Sequence, residues 1–213
     1  MIDKSYENNL SYEKELWNNN IKYVAGVDEV GRGCFAGPVV AAAVIMPPNL
    51  RIPYLTDSKK IAKSKHKSLV AEIKEHAVAY SVAIVDAQTV DKINIRQASL
   101  KAMHTAINNL EITPEYILVD GSDVVPNLNI LQKNVIQGDY YSHSISAASL
   151  LAKEFRDNLM ASYDEAYDNK YEWAKNAGYP TKRHIELVNE NGITPQHRKT
   201  WKTMSKITSA LKS

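Results

Sequence analysis

Apolar residues recur along this chain with two periods, and the switches between them mark its elements. From Ile21 to Gly33 the residues alternate, with Ile21, Tyr23, Ala25 and Val27 on one face and Lys22, Val24 and Gly26 on the other. That pattern predicts a strand with both faces covered. Val39 to Met46 is a near-continuous apolar run of the kind buried on both sides, and Pro47-Pro48 stops it. Tyr80 to Val85 and Tyr116 to Val119 predict a third and a fourth strand, and Val135-Ile136 a short fifth within residues 127–136. Between them the spacing turns helical. Residues 64–77 place Leu69, Val70, Ile73 and Ala77 on one stripe, and residues 90–110, expected as one helix, do the same with Ile95, Ala98, Ala102, Ala106 and Leu110. Residues 144–163 form the longest helical stretch, Ala-rich at its start so that other backbone can approach closely. A short helix is expected on Leu10, Glu13, Leu16 and Trp17, ended by Asn18-Asn19-Asn20. Thr181 is placed to cap another that runs to Asn191 and stops at Gly192. Residues 164–180, rich in aromatics, are expected to be irregular. Hairpin strands followed by alternating helices and strands predict an α/β layered domain with a mixed sheet.

Composition narrows this picture only a little. With 213 residues, 44% of them hydrophobic and 23% charged, the chain can bury one sizeable core. The expected division is a helical extension over 1–20, polar and loosely held before Leu10, then one domain over 21–204 and a frayed tail over 205–213. No apolar run approaches the ~20 residues of a membrane span, and the first 20 residues lack the apolar segment of a secretion signal. A cytoplasmic monomer is expected. The single Cys34 cannot form an internal disulfide, and no local signature makes it a nucleophile, so it reads as a small buried or turn residue. A formal charge of +2 permits nucleic-acid binding only through a local basic footprint.

The candidate chemistry lies in acids placed after apolar strands. Asp28-Glu29, Val119-Asp120-Gly121 and Gly138-Asp139 each follow one. Ligands gather beyond strand ends in open α/β sheets, so acids distant in sequence can converge there. Adjacent strand residues face opposite ways, and Asp28 and Glu29 are expected to share a site only where the Gly31-Arg32-Gly33 turn breaks the pleat. Carboxylate oxygens select Mg2+ or Mn2+, and no Cys/His cluster offers a zinc site. Each acid has a bland alternative: Asp28-Glu29 as an acidic hairpin tip, Asp120 and Asp139 as turn aspartates. Asp57 and Asp123 belong to loops. Asp86 is placed to cap a helix, and Asp157 sits beside Arg156 on a helix where a surface role is expected.

The order of these blocks says more than any one of them. Val27-Asp28-Glu29-Val30-Gly31-Arg32-Gly33 and Ala36-Gly37-Pro38-Val39-Val40 come first, then Thr56-Asp57-Ser58-Lys59-Lys60, Leu118-Val119-Asp120-Gly121 and Gln137-Gly138-Asp139. Ile145 to Lys153 with Arg156-Asp157, Gly178 to His184, and Gly192 to Arg198 complete the series. Over roughly residues 21 to 201 it closely resembles the ribonuclease HII family, the type 2 ribonucleases H. The lack of a long extra N-terminal domain favours type 2 over type 3. The resemblance implies a ribonuclease H-like fold, a mixed sheet flanked by helices with a helical C-terminal part. It implies that Asp28, Glu29, Asp120 and Asp139 are the four acidic residues, catalytic and metal-holding, with Mn2+ or Mg2+ in a two-metal mechanism. By the same resemblance, Gly31, Arg32 and Gly33 read the ribonucleotide and Tyr179 stacks on the adjoining sugar. Lys59, Lys60, Lys153, Arg183 and Arg198 are phosphate-contact candidates by charge and motif position. Gln137 stands where the family usually has Lys. His184 and His197 lie in matched motifs without metal-ligand spacing. The expected activity is a metal-dependent endonuclease that cuts the RNA strand of RNA-DNA hybrids and incises duplex DNA 5′ of embedded ribonucleotides, leaving 3′-OH and 5′-phosphate ends. The alternative is a non-catalytic nucleic-acid-binding module on the same scaffold.

Overall fold

The doubly covered strand is β1 (Val24–Val30), shorter at its start than the alternation implies, and it lies at the centre of a five-stranded sheet. The computed structural model describes residues 10–202 and 204, so the segments expected to be loose, 1–9 and 205–213, lie outside the described residues. With β2 (Val39–Ile45), β3 (Ala79–Val85), β4 (Tyr116–Asp120) and β5 (Leu131–Val135) the strand order is β3-β2-β1-β4-β5. β1, β2 and β3 form an antiparallel meander, while β4 runs parallel to β1 and β5 parallel to β4. The sheet is therefore mixed, with a ribonuclease H-like layering of helices on both faces. β5 ends one residue before Ile136, which is exposed.

Alternation along the central strands decides what each face meets. Ala25, Val27, Val39, Ala41 and Ala43 pack with Ala98, Ala102 and Ala106 of α4 (Ile95–Asn108), small residues that let helix and sheet approach. Val40, Ala42 and Val44 face the other way, toward α2 (Lys63–His76) and the alanine-rich start of α6 (His143–Ala166). The closest approach is at Gly26, where an added Cβ would lie 2.1 Å from the Ser144 carbonyl carbon. That distance is shorter than any real contact, so only glycine fits there.

The helix expected over 90–110 is two helices. α3 (Ala87–Ile93) starts at Asp86, whose side chain accepts the Thr89 N–H at 2.6 Å, as its cap position implied. The chain then turns at Asn94, with φ 66°, and the Asn94 side chain caps α4 through the Gln97 N–H. Asn is among the few residues that tolerate a left-handed backbone, and it is also a good cap, so one residue ends one helix and starts the next. α1 (Ser11–Asn18) docks through Glu13, which is fully buried. Its carboxylate accepts from Ser142 Oγ at 2.6 Å and from the Ser144 N–H at 2.9 Å, two donors at the start of α6. The irregular 164–180 stretch contains one turn of helix, α7 (Trp173–Asn176). α8 (Lys182–Asn191) has the Thr181 cap and ends at Gly192, φ 81°. Phe35, Met160, Tyr171, Trp173, Leu187 and Val188 form the core of this C-terminal part.

Candidate active site

The parallel pairing of β1 with β4 ends at Val27 opposite Val119, and a pocket of about 290 Å3 opens beyond it. Asp28, Glu29, Asp120 and Asp139 all line it, together with Gly31, Arg32, Gly33, Lys59, Lys153 and Tyr179. The four acids, the Gly-Arg-Gly turn, Tyr179 and two of the five phosphate-contact candidates, Lys59 and Lys153, thus border one cavity, while Lys60, Arg183 and Arg198 do not. The route by which Asp28 and Glu29 reach it differs from expectation. No break separates them, because β1 continues to pair with β2 through Asp28 opposite Ala42, Glu29 opposite Ala41 and Val30 opposite Val40. It is the end of β4 that uncovers the site, and Glu29 is held toward it by Arg32 Nη1 at 3.0 Å. Asp120 is the last residue of β4. Its Oδ1 accepts the Gly138 N–H at 2.7 Å, which ties the β4 end to the short helix α5 (Gly138–Tyr141) that carries Asp139.

The electrostatics are those of crowded acids. Burial first, then repulsion from Glu29 and Asp120, holds the Asp28 carboxyl well above its ordinary range, and a hydrogen bond from Ser149 opposes the shift. Asp139 is pushed up to about 6 by burial and by the nearby Asp57 and Asp120 charges. Burial also raises Glu29, against the pull of Arg32. Among the described residues no three Asp, Glu, His or Cys side chains are already gathered closely enough to hold a metal ion. The donor set, all carboxylate oxygen with one Asp120 oxygen already oriented by Gly138, fits Mg2+ or Mn2+ and suits zinc poorly.

The turn beside these acids is built from below by two buried arginines. Arg198 donates twice to the Gly37 carbonyl, at 3.1 and 2.9 Å, and once to the Arg32 carbonyl at 3.1 Å. Arg156 donates to the carbonyls of Ala36, Pro38 and Ala177 at 2.8 to 3.0 Å and packs under Gly31, whose φ of 96° suits glycine. Both guanidinium groups belong to fully buried residues. Arg198 is therefore no phosphate contact: its motif position is real, but its charge is spent on backbone carbonyls inside the protein. Burial lowers it to about 10, still protonated at neutral pH. Arg183 is exposed and is paired with Glu172 and Glu186 on the C-terminal part, and it lines no part of the pocket. Lys60 sits over the Tyr140 ring in a cavity next door, with its ammonium 4.5 Å from the centroid.

Tyr179 leans on the turn, its ring within 3.8 Å of where a Gly33 Cβ would be. Its backbone is set by histidines. Trp173 Nε1 donates to His184 Nε2 at 3.0 Å, which leaves His184 Nδ1–H to donate to the Tyr179 carbonyl at 3.0 Å. His197 Nδ1 accepts the Thr194 N–H, and its Nε2 lies 3.3 Å from His184 Nε2. Both rings are buried and neutral, in structural roles. Ser58 and Ser149, which also line the pocket and meet each other at 3.2 Å, were not foreseen. Both lie in the motif blocks, yet nothing marks a serine there as facing a site. Cys34 is buried, and burial raises its thiol.

The ribonuclease HII family model matches residues 25–204. The ribonuclease H2 of Pyrococcus horikoshii OT3 superposes with a TM-score of 0.78 at 26% identity, over 90% of this chain and 99% of that one. The RNase HII of Archaeoglobus fulgidus, solved in a PCNA:RNase HII complex, gives 0.71 at 25% identity, over 84% of this chain and 95% of that one. Bst-RNase HIII, in complex with Mn2+, shares the fold at 15% identity and a TM-score of 0.67, over 90% of this chain and 70% of that one. A match that runs from β1 through the last described residue, carried by a fold of the same layout, has one reading: the chain belongs to the ribonuclease HII family, endonucleases of the ribonuclease H class that act on RNA-DNA hybrids.

Proposed function

We propose that this protein cuts the RNA strand of hybrids and incises duplex DNA on the 5′ side of an embedded ribonucleotide, using external water and leaving 3′-OH and 5′-phosphate ends. The observation that carries this reading is the shared pocket: four acids suited to a divalent cation lie against a turn and a tyrosine suited to a sugar. Asp28, Glu29, Asp120 and Asp139 would hold the cations. Bound Mg2+ or Mn2+ supplies charge neutralisation at the scissile phosphate and acidity to water. The remaining work falls to the chain. Burial and neighbouring acids disfavour the charged forms of Asp28 and Asp139, and a bound cation would favour them again. Lys59 and Lys153, at the pocket's rim, attract and orient the phosphate backbone.

Recognition of the 2′-OH, the group that separates RNA from DNA, belongs to the turn. With the Arg32 carbonyl taken by Arg198, the N–H groups of Arg32 and Gly33 have no partner among the described residues and are free to meet a sugar hydroxyl. Tyr179, 41% exposed against Gly33, offers a face for the next sugar. The phosphate 5′ of a lone ribonucleotide is attached upstream to a deoxyribose, which has no internal nucleophile, so cleavage there demands water. We read the protein as a cytoplasmic monomer in ribonucleotide removal, and no described helix is long and apolar enough to cross a membrane. The test is an end-labelled duplex with one ribonucleotide, incubated with Mg2+ or Mn2+ and with chelator. Metal-dependent cutting 5′ of the ribonucleotide, at an end that a polymerase extends directly, is expected. A 2′,3′-cyclic phosphate, a cut on the 3′ side, or binding without cleavage would overturn the reading.

A further inference from the structure

The pocket does not close at Tyr179. A second cavity of about 300 Å3 shares Ser58, Lys59, Lys153 and Tyr179 with it and continues between the loop before α2, α6 and α7. Its walls hold Lys59, Lys63, Lys153 and Lys175 against one carboxylate, Asp157, which Lys153 engages at 2.9 Å. Lys63 is exposed and has no ion-pair partner among the described residues. Lys175 meets Glu172 at 3.4 Å with its side chain 79% exposed, an ion pair too weak to hold it from a better partner. Lys63 also opens α2, whose cap residue Ala62 makes no side-chain bond, so the positive end of that helix adds to the same field. The neighbouring cavity lined by Asp139, Tyr140 and Tyr141 is different. There Lys59 and Lys60 are balanced by Asp57 and Asp139.

We propose that the second cavity binds a phosphate of the cut strand on the 3′ side of the ribonucleotide, with Lys63 and Lys175 as its outer contacts. This rests on the functional reading above and extends it. If the scissile phosphate lies over the carboxylates and the ribose against the turn and Tyr179, the strand that continues 3′ passes Tyr179 and enters this cavity. The chemistry selects a phosphodiester. Apart from Tyr179 the one aromatic ring in the walls is His66, which is buried, so a base finds no open face beyond Tyr179 to stack on, whereas lysines serve as point-charge phosphate binders. The cavity beside Asp139, where acids balance the lysines, offers a phosphate no such pull.

A duplex with one ribonucleotide, bound by the full chain in chelator, tests this directly. Each phosphate in turn is replaced by an uncharged methylphosphonate, and binding is measured for the wild type and for the double variant K63A/K175A. The wild type should lose affinity at one downstream phosphate, where the double variant loses nothing further. Losing that contact should also flatten the slope of log K against log salt by about 0.9. A wild-type slope in the double variant, or coupling of these lysines to an upstream phosphate, would sink the assignment. If the wild type cuts the duplex with metal and the double variant still binds like it, only the cavity's assignment fails. Should the wild type fail to cut with any divalent metal, the functional reading fails and this proposal with it.

Discussion

Asp28 is 7% exposed and faces three other acids, and hydrogen bonds from Ser149 and from the Glu29 N–H do not offset its burial, so the position is unfavourable for a bare carboxylate. A group kept under such strain is more often a ligand than a structural part. The isosteric change Asp120→Asn removes one charge from the set with little change of shape. Turnover should fall by at least about 100-fold, the scale on which a directed electrostatic contact is lost, while the circular dichroism spectrum stays native. Asp157→Asn, whose partner is Lys153 rather than the acids, should stay near wild-type activity in the same assay. Arg32→Ala and Tyr179→Ala should lower the ratio of cleavage on ribo against matched deoxyribo substrates more than they lower affinity, and an unchanged ratio in both would leave the turn and the tyrosine structural. At this scale the acids were legible because each closes an apolar strand. Arg198 was not, because a sequence displays its charge but not its surroundings, and the backbone carbonyls that take it lie more than 160 positions away.

The elements read well where a period ran long enough and poorly where one residue did two jobs. The apolar stripe begins only at Ile95, and nothing between Val90 and it shows that Asn94 takes a positive φ and divides the helix. Asn94→Ala removes both the cap and the tolerated backbone, and urea denaturation should show a loss of about 1–2 kcal/mol. α5 spans four residues, less than any periodicity can reveal, yet it carries Asp139. Glu13 falls on the apolar face of α1 and looks out of place there until its two donors at the start of α6 are known. The contact between β1 and α6 gives a sharper test. Gly26→Ala would drive a methyl into the Ser144 backbone, two residues from Asp28, and should cost about 3 kcal/mol or more, with activity lost in proportion to the folded fraction.

For the molecule as a whole, three of the four buried histidines among the described residues resist protonation, which weakens the fold in acid. Burial lowers His143 to about 4, and burial with the nearby His184 lowers His197 to about 3; His184 itself is also lowered, mainly by burial. Unfolded, each would titrate near 6.5, so below that pH the unfolded chain takes up protons that the folded one refuses. Each such histidine contributes a loss of stability approaching 1.4 kcal/mol per pH unit between about 6 and its folded value. Raised acids such as Asp28, Glu29, Glu13 and Asp139 act in the opposite sense, since their folded forms hold protons more tightly. A comparison of variants separates the two. His197→Asn should be less stable at pH 7 but lose less on going from pH 6 to pH 4, in thermal melts with chelator; a parallel curve would mean that His197 is charged in the fold. The overall α/β layering was legible because strand and helix periods alternate cleanly up to residue 163. The histidine core was not, because its partners are aromatic residues in a stretch without any period.

Arg198 and His197 also fix an order of events. The sheet, its acids and α6 draw on residues before 167, while the turn at residues 31–33 waits for Arg198 to take the Arg32 carbonyl and for His197 to bridge to Ala36. On a ribosome, those partners emerge after the sheet, its acids and α6. A nascent chain can therefore assemble its carboxylates early and still lack the support for its sugar-facing turn. The turn remains unfinished until residues 197 and 198 have been made, well after the acids it stands beside.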